Sequence, residues 1–133
     1  MPDDAQAPCD RSVTVVIADD AEPVRLALAQ LLSSDGRFEL RGVANDGEEA
    51  AALVQRHLPE LAILDVKMGG GGGERAARQI RILSPETVIV ALSAFDGASS
   101  ERRMREAGAS AYLVKGAVGD DLLDRLWLLA RGG

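Results

Sequence analysis

The chain has 133 residues, 47% of them hydrophobic, which is room for one domain around one substantial core. Fifteen Lys and Arg against 21 Asp and Glu give a formal charge of -6, opposite to the basic bias of nucleic-acid binders, so direct nucleic-acid contact is not expected. No apolar run approaches the ~20 residues of a membrane span, and a single cysteine, Cys9, excludes an internal disulfide.

Residues 1–12 contain Pro2, Pro8 and several Asp with no apolar period, and are expected to form a disordered tail. They lack the apolar stretch of a signal peptide, so a reducing, cytoplasmic setting is expected. Val13–Ala18 predicts a first strand. A helix follows near Pro23, with Val24, Leu28, Leu31 and Leu32 on its apolar face. In Phe38–Ala44, Phe38 and Leu40 alternate with Glu39 and Arg41, as in a strand at a sheet edge. The next helix opens at Asp46-Gly47-Glu48-Glu49, where Asp46 can cap and Glu49 can reciprocate. Its apolar face is Ala50, Leu53, Val54 and Leu58, and it ends before Pro59. Leu61–Leu64, Thr87–Leu92 and Ala111–Val114 predict three more strands. Between and after them lie three helices. One carries Ala76, Ile80 and Leu83 and stops at Pro85; one spans about 99–107 and closes at Gly108; the last carries Leu122, Leu123, Leu126, Leu129 and Ala130. Continuously apolar runs such as Leu61-Ala62-Ile63-Leu64 suit central strands covered on both faces. Alternation of this kind predicts five βα units in one domain over residues 13–131, an α/β fold with a parallel sheet.

Ligands in open parallel sheets bind beyond the carboxyl ends of the strands. Asp19 and Asp20 follow the first predicted strand, Asp65 the third, Ser93 the fourth and Lys115 the fifth. Three carboxylates, a hydroxyl and an ammonium are therefore expected at one edge. Clustered carboxylates stay ionised only around a shared cation, and an all-oxygen set without His or Cys favours Mg²⁺, with Mn²⁺ as an alternative. A carboxylate can itself be a nucleophile towards phosphorus, with Lys115 and Ser93 stabilising phosphoryl oxygens.

The segments Ile17-Ala18-Asp19-Asp20, Leu64-Asp65-Val66-Lys67-Met68, Ala91-Leu92-Ser93-Ala94 and Ala109-Ser110-Ala111-Tyr112-Leu113-Val114-Lys115 resemble the receiver domain of two-component response regulators over about residues 13–130. The resemblance implies a flavodoxin-like, doubly wound (βα)₅ fold with strand order 2-1-3-4-5. It implies that Asp65 is the phosphoacceptor, serving a histidine kinase or phosphotransfer protein. Mg²⁺ would be held by Asp20, Asp65 and the Lys67 carbonyl, with Asp19 acting through water. Ser93 would be the switch hydroxyl and Tyr112 the switch aromatic. Catalysis would be confined to the chain's own phosphorylation and autodephosphorylation. The output face would comprise the fourth helix, fifth strand and fifth helix, carrying Arg102, Arg103, Tyr112 and Trp127; it would bind an output partner or domain, or form a phosphorylation-linked dimer. The wording of residues 93–116 is similar to receivers of LuxR-type regulators, although no helix-turn-helix is expected within these residues.

Several features depart from the family pattern or need separate weighing. Gly69 to Gly73 replace the usual Pro-Gly, which predicts a mobile loop and a weakened hold on Mg²⁺. The resemblance places Lys67 and Phe95 at the two positions that flank the phosphoryl group in this family, where they would offer neither base nor amide to attacking water, which predicts slow hydrolysis. The cluster Arg102, Arg103 and Arg105 is interleaved with Glu101 and Glu106 and reads as a solvated helix face. His57 fits a helix C-terminus, and Trp127 is expected at the core edge before a partner contact. The main rival reading is a degenerate receiver that binds partners without phosphorylation. A phosphohydrolase is rejected because Lys67 stands where its second Asp would be, and a nucleotide-binding module because Asp19-Asp20-Ala21-Glu22 is anionic.

Overall fold

Strands apolar on both sides are satisfied only where helices cover both faces of a sheet, and the architecture meets that demand. The computed structural model describes residues 12–69, 72–94, 97–115 and 121–132. Its elements are β1 (Val13–Ala18), α1 (Glu22–Ser33), β2 (Phe38–Ala44), α2 (Gly47–His57), β3 (Leu61–Asp65), α3 (Gly72–Leu83), β4 (Val88–Ser93), α4 (Ala98–Ala107), β5 (Ala109–Val114) and α5 (Leu122–Ala130). All strand pairs are parallel, in the order β2-β1-β3-β4-β5. This is the expected doubly wound (βα)₅, flavodoxin-like arrangement, with β2 at an edge. The expected N-terminal tail lies outside the described residues apart from Ser12, and so does Phe95.

Alternate residues of each strand feed two separate cores, as the pleat requires. Val16, Ala18, Leu64 and Ile89 pack with Ala50 and Val54 of α2, Ala76 and Ile80 of α3, and Met104 of α4. On the opposite face Val15, Ile17, Ile63 and Val90 pack with Leu28 and Leu32 of α1 and Leu122 and Leu126 of α5.

Local chemistry sets the boundaries. Asp46 accepts a hydrogen bond from the Glu49 N–H at 2.8 Å, but Glu49 reciprocates to the Asn45 N–H at 3.0 Å, one residue before the expected partner. Leu58 leaves the apolar face it was expected to join. It is the left-handed C-cap of α2 (φ 45°) and 61% exposed, since the residue before Pro59 is driven out of the helical region. Leu31 and Leu83 lie at the margins of their stripes and are also largely exposed. β4 starts one residue late because the Thr87 hydroxyl is engaged with the Pro59 carbonyl at 2.7 Å and with Ser84 at 2.6 Å. β5 starts two residues early, at Ala109 opposite Ile89, across a register shift.

Two isoleucines gauge this core. Ile63 is 1% exposed beneath α1 and α5, whereas Ile82 is 80% exposed on α3. Ile63→Ala is expected to cost about 2–5 kcal/mol in urea unfolding, and Ile82→Ala less than about 0.5 kcal/mol. Equal costs would contradict the layering.

Candidate functional site

Each candidate side chain stands where a strand stops. Asp19 follows β1, Asp65 and Ser93 are the last residues of β3 and β4, and Lys115 follows β5. The chain runs from β1 out to β2 on one side and then crosses back to β3 on the other, so the strand order reverses and a crevice opens between the β1 and β3 ends, where such sheets take ligands.

Asp19, Asp65 and Ser93 are buried, while Asp20 is exposed. Carboxylate oxygens of Asp19, Asp20 and Asp65 lie within 4.8 Å of one another. The Lys115 ammonium bridges two of them, 2.8 Å from Asp19 Oδ2 and 3.2 Å from Asp65 Oδ1. Asp19 is also fixed through its other oxygen, which accepts the Ala21 N–H at 2.9 Å, and through its carbonyl, which accepts from Arg25 at 2.9 Å. Neither aspartate caps α1, because the N-cap position, Ala21, has no side-chain cap.

Burial, and then the Asp19 charge, push the Asp65 carboxyl up to about 6, against the opposing pull of Lys115 and of the Lys67 backbone N–H, which donates to it. Burial alone would lower the Lys115 ammonium, but the hydrogen bond it donates to Asp19 and the Asp65 charge outweigh it and raise the group. Ser93 pairs with Val114 in the β4–β5 register, and Tyr112 is half-buried against the core beneath α2, α3 and α4.

This donor set fits a divalent cation. Three carboxylates against one ammonium leave two negative charges uncompensated when ionised. Asp19 Oδ2 is sealed from solvent, with the Lys115 ammonium as its ion-pair partner. All the side-chain donors are oxygens, as Mg²⁺ prefers.

The glycine run was expected to be slack, and the structure corrects this for three of its members. The Gly69 carbonyl accepts the Gly47 N–H at 2.9 Å, which ties the loop to the start of α2. Gly72 and Gly73 already belong to α3, and Gly73 N–H donates to the Val66 carbonyl at 2.9 Å. Sequence reasoning saw glycines but had no signal for the backbone they press against. It also missed Arg25, whose role depends on α1 folding back over Asp19.

The expected output face needs one correction. Arg102 and Arg103 are exposed on α4, with Arg103 3.5 Å from Glu74 of α3. Trp127 instead points to the other end of the molecule. Its ring meets Phe38 edge-on at 6.1 Å, with Arg131 at 4.7 Å and Arg37 at 5.8 Å over it. Core-edge packing thus accounts for Trp127, because its neighbours are the C-cap of α5, the first residue of β2 and the residue before it.

Residues 15–127 match the family model for the response regulator receiver domain. The chain belongs to this family. The transcriptional regulatory protein PdtaR of Mycobacterium tuberculosis is 41% identical over 127 residues, covering 94% of this chain and 59% of that protein. The chain therefore spans about three-fifths of the curated relatives it matches. The signal receiver domain of NarL from the same organism superposes with a TM-score of 0.87 at 29% identity, over 92% of this chain and 99% of that one. A LuxR-family response regulator from Aurantimonas, 24% identical with a TM-score of 0.85 over 92% of this chain and 87% of that one, shares the fold. Among the described residues no helix is long and apolar enough to cross a membrane.

The raised Asp65 carboxyl has a stability consequence. A carboxyl whose folded pKa of about 6 exceeds its ordinary 3.8 favours its protonated form in the folded chain. Stability contributed by this group therefore falls as pH rises through that window and stays reduced above it. Without divalent cation at pH 7.5, Asp65→Asn is expected to raise unfolding free energy by about 1–3 kcal/mol. The gain should shrink towards pH 4, as followed by urea denaturation. A variant no more stable than the wild type at pH 7.5 would contradict this account.

Proposed function

We propose that residues 13–131 form an active receiver, phosphorylated on Asp65 in a Mg²⁺-dependent step by a histidine kinase or phosphotransfer protein. The observation that carries the reading is the meeting of Asp19, Asp20 and Asp65 within 4.8 Å, with Lys115 bridging two of them. A phosphohydrolase or nucleotide site would need groups that the sequence lacks at those positions.

In this reading an Asp65 carboxylate oxygen bonds to phosphorus as the donor's phosphorus–nitrogen bond breaks and the donor imidazole leaves. Lys115 lies close enough to Asp65 to follow a phosphoryl oxygen once the ester forms, exchanging one anionic partner for another. Ser93, at the end of the neighbouring strand, supplies a hydroxyl to a second oxygen. Asp20, Asp65 and the Lys67 carbonyl would hold Mg²⁺, with Asp19 reaching it through water; the ion, when bound, neutralises charge on the phosphoryl oxygens.

Ser93 and Tyr112 are the switch pair. They sit on adjacent strands, Ser93 at the site and Tyr112 against the α4 side of the core, so movement of one can be passed across β4–β5. The α4–β5–α5 face then presents a changed surface to an output partner, an output domain or a second copy. Hydrolysis is slow because Lys67 is a cation, with no basic or amide group to orient water. The setting proposed is cytoplasmic.

Incubation with acetyl phosphate and Mg²⁺ should add one phosphoryl group to the intact protein by mass, and none to Asp65→Asn. The adduct should decay over many minutes without a phosphatase. Decay within seconds would refute the role given to Lys67. No adduct, and no response to beryllofluoride, would favour the rival reading of a phosphorylation-independent interaction module.

A further inference from the structure

The described glycines of the run differ in what a side chain would meet there. At Gly69 an added Cβ would meet Asp46 Cβ at 3.7 Å, an ordinary contact. At Gly73 it would press on the Asp65 carbonyl oxygen well inside van der Waals range, 3.0 Å from Val66 Cα and 3.2 Å from the Asp65 carbonyl carbon. All three are backbone atoms, which cannot rotate aside as a side-chain tip can. The first turn of α3 thus lies directly on the peptide that follows the proposed phosphoacceptor.

That peptide has little freedom elsewhere. Val66 N–H donates to the Leu92 carbonyl of β4 at 2.9 Å, and the Val66 carbonyl accepts from Gly73 at 2.9 Å. With β4 on one side and α3 on the other, any displacement forced at residue 73 must be taken up towards Lys67. Lys67 is the residue whose N–H holds the Asp65 carboxylate.

We infer that Gly73 is a positioning residue: its missing side chain lets α3 clamp the Asp65–Val66 backbone and so sets the Lys67 peptide at the cation site. The inference rests on the receiver reading above, and it reverses the expectation that the glycine run slackens the site. Coupling of this kind is reciprocal, so a cation at the site must in turn tighten the Gly73 contact.

Mn²⁺ binding, measured by electron paramagnetic resonance on the full chain, tests this in wild type, Gly73→Ala and Gly42→Ala. The Gly42 variant is the control, because the atoms nearest its Cβ all belong to the Leu53 side chain, the first at 2.9 Å, on the edge strand away from the site. Gly73→Ala is expected to weaken Mn²⁺ binding about tenfold or more, and Gly42→Ala to leave it unchanged even where it lowers stability. Should Gly73→Ala not fold, hydrogen exchange of the wild-type Gly73 amide decides, since saturating Mg²⁺ should slow it. Wild type that binds no Mn²⁺ would overturn the receiver reading, and this inference with it. Wild type that binds while Gly73→Ala binds equally well, or a Gly73 amide indifferent to Mg²⁺, would overturn the inference alone.

Discussion

The Lys115 ammonium, held between Asp19 and Asp65, is the interaction on which the site depends. Two carboxylates sealed among strand ends would be strongly unfavourable alone, because burial removes water that nothing else replaces. One ammonium offsets part of that cost. It leaves the cluster short of positive charge, with the Asp65 carboxyl pushed up to about 6 from its ordinary 3.8. The fold therefore carries a standing electrostatic deficit at its functional edge, which a divalent ion or a transferred phosphoryl group would redistribute.

Parallel strands are what make such crowding feasible. Their carboxyl ends coincide at one edge, and the largely apolar, buried β1, β3 and β4 give a support that loops alone could not. α3 adds a second constraint from beneath through glycine backbone. The polar groups at this edge are held largely by backbone contacts, such as Asp19 to Ala44, Val66 to Leu92 and Gly73 to Val66, which are insensitive to rotamer changes.

Much of this was legible in the sequence because it follows from periodicity. The apolar run of β1 and the alternation of β2 mark both strands to the residue, and the strand-end rule puts Asp19, Asp65, Ser93 and Lys115 at one edge. Less legible were features set by partners distant in sequence. Leu58 matched the helical period, yet Pro59 turned it outwards. Trp127 read as a core-edge residue, but its partners, Phe38 of β2 and the preceding Arg37, are brought to it only by the fold. The glycines read as looseness because a sequence shows what glycine permits, and only the neighbouring Asp65 carbonyl shows what it is needed for.

The packing of Trp127 also limits what can be seen optically. Phe38 is in register with Val13, at the start of β1, whereas the carboxylate cluster lies beyond the end of that strand. The only tryptophan in the chain is thus separated from Asp65 by roughly the length of a strand, about 17 Å or more. Flanked by two guanidinium groups and a phenyl ring, its emission is a gauge of whether α5 stays seated on the sheet. Intrinsic fluorescence of this protein therefore reports on the integrity of the α5–β2 corner and is a poor witness to events at the acidic edge.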